Sequence, residues 1–132
     1  MREILFRGKR TDNGEWVFGM AWIFREKTMI CPWRKGMCKY DTGYFPVQII
    51  SKTFGQFAGL TDKNGKRIFE GDIVTGLFSF GMPFNAVVTF QDGAFGLEWY
   101  RGNAKTFNAF TSICNVEYEV IGNIHDDPDL LN

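Results

Sequence analysis

This sequence is poor in the features that catalytic sites and membrane spans rely on. It contains one histidine, His125, and no run that approaches the ~18 apolar residues of a membrane-spanning helix. A Ser-His-Asp or Cys-His catalytic arrangement would therefore have to use His125. The apolar part of the N-terminal sequence MREILFRGKR is too short for a signal peptide. We therefore expect a cytoplasmic protein without membrane contact.

Cysteine is also scarce, and its spacing does not favour a metal site. Cys31 and Cys38 are separated by six residues, whereas zinc-binding pairs are usually separated by about two to four, and Cys114 has no near partner. Three cysteines fit reduced thiols better than a disulfide framework, with a Cys31–Cys38 disulfide as the alternative.

The remaining candidate ligands lie close to the C-terminus. His125 with Asp126, Asp127 and Asp129 could bind a divalent metal, but a solvated acidic turn explains them more simply, with Asp127 as its cap and Pro128 at its first position. Neither GxxxxGK[ST] nor GxGxxG occurs, so no site for nucleotide phosphates is indicated. We predict no metal, no cofactor and no enzymatic activity.

The net charge of zero conceals an uneven distribution along the chain. Residues 1–67 hold 13 Lys and Arg against 6 Asp and Glu, whereas residues 68–132 hold 2 against 9. A basic half can bind nucleic acid, and opposite halves can attract each other within one molecule or between copies. The simpler interpretation is that these charges lie on solvated faces and compensate one another within the molecule.

Apolar residues make up 45% of the chain and aromatic residues 17%, which is enough apolar surface for a packed fold. Three dipeptides, Asn13-Gly14, Asn64-Gly65 and Asp92-Gly93, are typical of tight β-hairpin turns.

Residues 15–24 alternate with period two and are apolar on both faces, so this strand is either covered on both sides or docks on a partner. Residues 27–46 are interpreted as a segment made mainly of loops. Phe107, Phe110 and Cys114 stand at helical spacing and suggest a short helix.

The stretch GLTDKNGKRIFEGDIV, residues 59–74, is interpreted as a turn followed by the start of a strand. Asn64-Gly65 forms the turn, Gly71 makes a second bend, and Asp72 bonds nearby backbone amides. The functional alternative is a metal or acid site made of Asp62, Glu70 and Asp72. These residues lack the tight spacing of a calcium-binding loop, so we favour the architectural role.

Three segments, REILFRGKRTDNGEWVFG, TFGQFAGLTDKNGKRIFEGDIV and YEVIGNIHDDPDLL, occur in that order and resemble the YopX family of phage and prophage proteins. Residues 25–50 carry no signature of that family, and Ala58 stands where a small hydroxyl residue is expected. The resemblance implies an all-β fold with an N-terminal β meander over residues 1–56 and an SH3-like barrel over residues 57–132, with at most short helical turns. It implies no catalytic residues. The matched positions are interpreted as structural: Gly14, Gly55, Gln56, Gly59, Leu60, Asp62, Asn64, Gly65, Glu70, Gly71, Asp72, Ile73, Gly122, Asn123 and Pro128.

These observations favour a phage accessory protein that acts by binding in the bacterial cytoplasm rather than by catalysis. A protein-interaction or assembly module is the first hypothesis, with a host or phage protein, or another copy of the chain, as partner. The alternative is nucleic-acid binding, in which cations contact phosphates and an aromatic residue stacks on bases. The residues of that alternative are Arg7, Lys9, Arg10, Trp33, Arg34, Lys35 and Tyr40.

Overall fold

The computed structural model describes residues 3–32, 46–77, 81–110 and 118–131, and it confirms that the protein is all-β. Within these residues 3-10 turns occur at Ser51–Thr53 and Pro128–Leu131, and Phe110 also has 3-10 geometry. Pro128 opens the second turn, as predicted from its fixed φ. The strands divide between two compact units, Met1–Phe57 and Ala58–Asn132.

The first unit is an antiparallel sheet with the strand order β4-β3-β2-β1-β5. Its strands are β1 (Phe6–Lys9), β2 (Trp16–Phe24), β3 (Lys27–Pro32), β4 (Val47–Gln48) and the start of β5 (Gly55–Thr61). Ile30 and Ile49 are the most deeply buried apolar side chains on its packed face. Gly8 is required there, because a Cβ atom at this position would collide with the side chain of Ile49.

The second unit contains an antiparallel sheet with the order β10-β9-β8-β7-β11, and β6 pairs with the end of β5. Its strands are β6 (Arg67–Phe69), β7 (Asp72–Leu77), β8 (Pro83–Gln91), β9 (Ala94–Arg101), β10 (Ala104–Ala109) and β11 (Glu119–Asn123). The core consists of buried side chains from β6 to β9: Ile68, Val74, Phe84, Ala86, Val88 and Leu97. The description of this unit as an SH3-like barrel stays a prediction.

The Asp92-Gly93 prediction is confirmed, because these two residues connect β8 to β9 and both have positive φ, 50° and 81°. At the other two predicted turns only the glycine, Gly14 or Gly65, has positive φ. Both sites connect antiparallel strands as expected, but through longer turns. In the second of these turns the amide of Asp62 donates to the carbonyl of Lys66 at 2.7 Å.

Two sequence-based assignments are wrong. Residues 27–46 are predicted to form a loop, but they begin with strand β3. The chain reverses just before β3 in a tight turn at Arg25 and Glu26, which have φ of 47° and 68°. Neither residue is Gly, Asn or Asp, the types that usually adopt positive φ. Residues 33–45 lie outside the described residues. Phe107 lies in strand β10, where it pairs with Glu98 of β9, so the predicted helix is wrong at this residue. Phe110, the residue after β10, has 3-10 helical geometry. Cys114 lies outside the described residues.

The Asp62 carboxylate ties the turn of residues 62–67 to the last strand of the sheet. Its Oδ1 accepts hydrogen bonds from the amides of Asn64 at 2.8 Å and Lys66 at 2.9 Å, and its Oδ2 accepts one from the amide of Val120 at 3.0 Å. Burial alone would raise the pKa of this carboxyl. The amide hydrogen bonds and the charge of Lys66 lower it more, so the pKa of Asp62 lies below its ordinary value of 3.8.

Replacement of Asp62 tests this arrangement. Asp62→Ala leaves three amides without their acceptor, and we expect a loss of about 3 kcal/mol in the free energy of unfolding at neutral pH, measured by urea denaturation. Because the folded-state pKa of Asp62 is depressed, its stabilisation is present above the unfolded value and disappears as the pH falls through the folded value. The stability difference between wild type and variant should therefore shrink below about pH 4. A difference that stays constant down to about pH 2 would contradict the proposed ionisation.

Gly65 provides a second test of the same turn. Its φ is 81° and no atom lies within 4 Å of a Cβ built there, so only backbone conformation opposes a side chain. We expect Gly65→Val to lower the free energy of unfolding by about 1–2 kcal/mol, and Gly65→Asn, which tolerates positive φ, to cost less. Equal thermal stability of the two variants would argue against the observed turn.

Candidate interaction surface

Strand β2 exposes a row of large apolar side chains on one face of the first sheet. We call Phe18, Met20, Trp22 and Phe24 the aromatic face; their exposed fractions are 41%, 52%, 57% and 60%. The opposite face of β2 carries smaller residues, and there Ala21 pairs with the fully buried Ile30. The strand is therefore apolar on both sides, but only one side contributes to the core of its unit.

The aromatic face exposes a substantial apolar area. If each side chain has about 200 Å² of surface, the four exposed fractions together amount to roughly 400 Å² of apolar area. This lies within the range of about 300–600 Å² for the largest apolar patch on a typical soluble monomer, and such a patch is often functional. Residues 16–19 of the strand pair with β1 and residues 19–24 pair with β3, so its backbone is held in place before any partner arrives.

The turn that follows β2 adds charge to this surface. We call Trp22–Lys27 the hairpin end; it includes Ile23, whose side chain is 75% exposed. The guanidinium carbon of Arg25 lies 5.4 Å from the centre of the Phe24 ring, and Lys27 pairs with Phe24 across the hairpin. Glu26 is the single acid at this turn. The hairpin end thus combines apolar area with two cations and one anion.

The other end of β2 holds its cations close to an aromatic ring. The guanidinium carbon of Arg7 lies 4.7 Å from the centre of the Trp16 ring, and the Lys9 ammonium lies 5.5 Å from it. The Arg7 side chain is only 6% exposed. Arg10 donates two hydrogen bonds to the Asp12 carboxylate, at 2.8 and 2.7 Å.

These positions bear on the predicted nucleic-acid surface. The geometry brings Arg7 and Lys9 together on Trp16, and it gives Arg10 an acidic partner. The other four residues of that hypothesis, Trp33, Arg34, Lys35 and Tyr40, lie outside the described residues. A role for the seven residues in nucleic-acid binding stays a prediction.

Two acidic residues of the 59–74 stretch, Asp62 and Asp72, bind the backbone in this structure. Asp62 binds three amides, and Asp72, which is 2% exposed, accepts a hydrogen bond from the Phe69 amide at 2.8 Å. Across residues 3–32, 46–77, 81–110 and 118–131, no three His, Cys, Asp or Glu side chains are grouped so as to hold a metal ion. The geometry of Asp62 and Asp72 is that of structural side chains.

The side chains of the C-terminal motif likewise form hydrogen bonds within their own turn. The Asn123 side-chain oxygen accepts hydrogen bonds from the amides of His125 and Asp126, and its amide group donates to the Asp126 carboxylate. A Cβ atom at Gly122 would overlap the carboxylate of Asp127. The cluster that suggested a divalent metal from sequence is therefore part of a hydrogen-bonded turn.

Sequence reasoning identified the apolar pattern of β2 but missed the hairpin end. Arg25-Glu26 contains no glycine or asparagine, so the sequence gives no signal for the turn, and Lys27 is placed at the start of the predicted loop. The available signal was the run WIFREK, in which apolar residues on both faces of a strand continue directly into charged residues.

Comparison with known proteins adds the family and the fold. No helix in the described part of the chain is long and apolar enough to cross a membrane. No curated protein matches the sequence significantly. The crystal structure of protein EF1440 from Enterococcus faecalis is similar, with a TM-score of 0.58, 22% identity and complete coverage of both chains, which supports the fold alone. The model of the family described as YopX protein matches residues 5–132. The chain therefore belongs to the YopX family.

Proposed function

We propose that this protein is a non-catalytic interaction module, of phage or prophage origin, that binds a protein partner in the bacterial cytoplasm through its aromatic face. The observation that carries the proposal is the row of exposed side chains on β2, whose other face is packed at Gly19 and Ala21 and exposed at Ile23. Trp and Arg are the residues most often responsible for binding energy at protein interfaces, and Trp22 and Arg25 lie at the centre and the edge of this surface.

The energetics indicate what the partner must supply. Burial of roughly 400 Å² at about 25 cal/mol per Å² corresponds to about 10 kcal/mol on the protein's side. Association costs about 4–15 kcal/mol in lost freedom, so the aromatic face alone would give weak binding. We therefore include contacts of Arg25 and Lys27 at the hairpin end in the proposal. These two cations would favour a partner with acidic residues around its apolar contact area.

Preorganisation favours the same role. The nine residues of β2 are hydrogen-bonded within the sheet, and the Arg25-Glu26 turn connects β2 directly to β3. A partner would therefore meet a surface whose backbone needs little ordering on binding, which preserves affinity. This arrangement suits binding better than chemistry, because the aromatic face itself, Phe18, Met20, Trp22 and Phe24, carries no acid, base or nucleophile.

Nucleic-acid binding remains the second candidate, because the hairpin end combines aromatic rings with two cations. Bases of a single strand could stack on Trp22 or Phe24 while Arg25 and Lys27 contact phosphates. Such binding would weaken steeply with rising salt concentration and would be lost on nuclease treatment.

A capture experiment with Trp22→Ser tests the proposal. Tagged wild-type protein should retain a discrete protein from lysate of a bacterial host after nuclease treatment, and the variant should lose most of it, because a central tryptophan at an interface typically contributes a factor of about 30 in affinity. Tyr100→Ser is the matched control, since Tyr100 is a 60% exposed aromatic residue of the second unit. Capture of the same protein in equal amount by wild type and Trp22→Ser would contradict the proposal, and bound material that disappears with nuclease would favour nucleic acid.

A further inference from the structure

One end of the second sheet combines exposed apolar side chains with acidic ones. Strand β7 begins where β8 and β11 end, because Asp72 pairs with Asn123 and Ile73 pairs with Val87. The Gly71 amide donates to the carbonyl of Val88, and the carbonyl of Gly71 accepts a hydrogen bond from the Ile124 amide. We call this region the acidic end; its members are Glu70, Phe90, Asp92, Ile124 and Asp126.

The acidic end has an unbalanced charge. The sequence from residue 68 to 132 contains only two basic residues, Arg101 and Lys105. They lie at the far end of β9 and the start of β10, where Arg101 pairs with Ala104, and Lys105 forms an ion pair with Glu98. Lys105 is therefore at the opposite end of the sheet. The second unit also contains Lys63, Lys66 and Arg67, of which Lys63 forms an ion pair with Glu119.

The acidic end also has an apolar component. Phe90 is 52% exposed and Ile124 is 37% exposed. Asp92 and Asp126 are exposed beside them in sequence, and Phe90 contacts Phe95 in an edge-to-face arrangement at 4.9 Å between ring centres. This combination of apolar side chains with a negative rim is the counterpart of the hairpin end, which has apolar side chains with a positive rim.

We infer that the protein associates with itself head to tail, the hairpin end of one copy binding the acidic end of the next. The inference rests on the proposed function, since it identifies the partner of the aromatic face as another copy of the chain. Apolar area would be buried at the centre of the contact, while Arg25 and Lys27 would lie opposite Asp92 and Asp126.

Charge favours this arrangement over contact between two identical aromatic faces. A symmetric contact would bring the excess cations of both hairpin ends into one interface, where like charges are unfavourable. A head-to-tail contact pairs the hairpin end of one copy with the acidic end of another. The first and last copies of the assembly then each keep one unoccupied contact surface. Such contacts extend into chains or close into rings.

The primary measurement is sedimentation velocity of the purified full-length protein over about 1–100 μM. We expect the average mass to rise above that of the monomer with protein concentration, and to fall when the salt concentration is raised from about 50 to 500 mM, because ions screen exposed charges. A monomer at every concentration and salt condition would overturn the inference.

Two variants test which surfaces meet. The first, Trp22→Ser with Phe24→Ser, lacks the hairpin contact but retains the acidic end. The second, Phe90→Ser with Asp92→Asn and Asp126→Asn, lacks the acidic contact but retains the hairpin end. Each should be monomeric alone, and an equimolar mixture should form a 1:1 complex, because one intact interface remains between the two variants. Leu77→Ser, at a 57% exposed position on another part of the second sheet, should associate like wild type.

Several results would overturn the inference. Association by either variant alone, or a mixture of folded variants that stays monomeric, would exclude the head-to-tail contact; thermal unfolding verifies that each variant is folded. If the wild type is monomeric while Trp22-dependent capture of a different protein persists, only this inference fails. If neither self-association nor Trp22-dependent capture occurs, the proposed function fails as well.

Discussion

The pairing of β2 with β1 and β3 is the constraint on which the candidate interaction surface depends. Successive side chains of a strand point to opposite faces, so the register that buries Gly19 and Ile30 necessarily places Trp22 and Phe24 on the other face. A shift of one residue would exchange the two sets and bury large rings where Gly8 and Ile49 leave no room. The packed core of the first unit therefore determines which apolar side chains remain exposed.

The second unit uses its polar residues differently. The motif around Asp62 is the part of the sequence most useful for identifying the family, but its carboxylate is fully engaged with backbone amides of the turn and of Val120. Asp72 and Asn123 act in the same way on neighbouring amides. Recognisable residues thus stabilise the architecture, while the candidate contact surface lies on a strand and turn whose residues have no comparable signature.

Local sequence signals predicted the fold where the chemistry of the turn or strand is specific. Asp92-Gly93 satisfies both positive φ values of a tight turn, and the alternation of Trp16 to Phe24 requires a strand. The prediction failed at Arg25-Glu26, where pairing of β2 with β3 enforces positive φ on residues that rarely adopt it, and at Phe107, where pairing with β9 overrides helical spacing. The sequence alone does not decide whether the aromatic face is exposed, because a pattern of apolar residues does not reveal which face of a strand is covered. The register of the strands provides that information.

Part of the uneven charge of the sequence lies at the hairpin end and at the acidic end. In the proposed contact these opposite charges would face each other across the interface. Oxidative footprinting of methionine in cells that produce the protein tests the exposure of the aromatic face most directly. Met20 lies on the aromatic face and is 52% exposed, whereas Met82 is 59% exposed in the second unit and provides an internal reference. If a partner covers the aromatic face, oxidation of Met20 should fall relative to Met82 in cells and recover in the dilute purified protein. An unchanged ratio between the two methionines would contradict the assignment of the aromatic face as the contact surface.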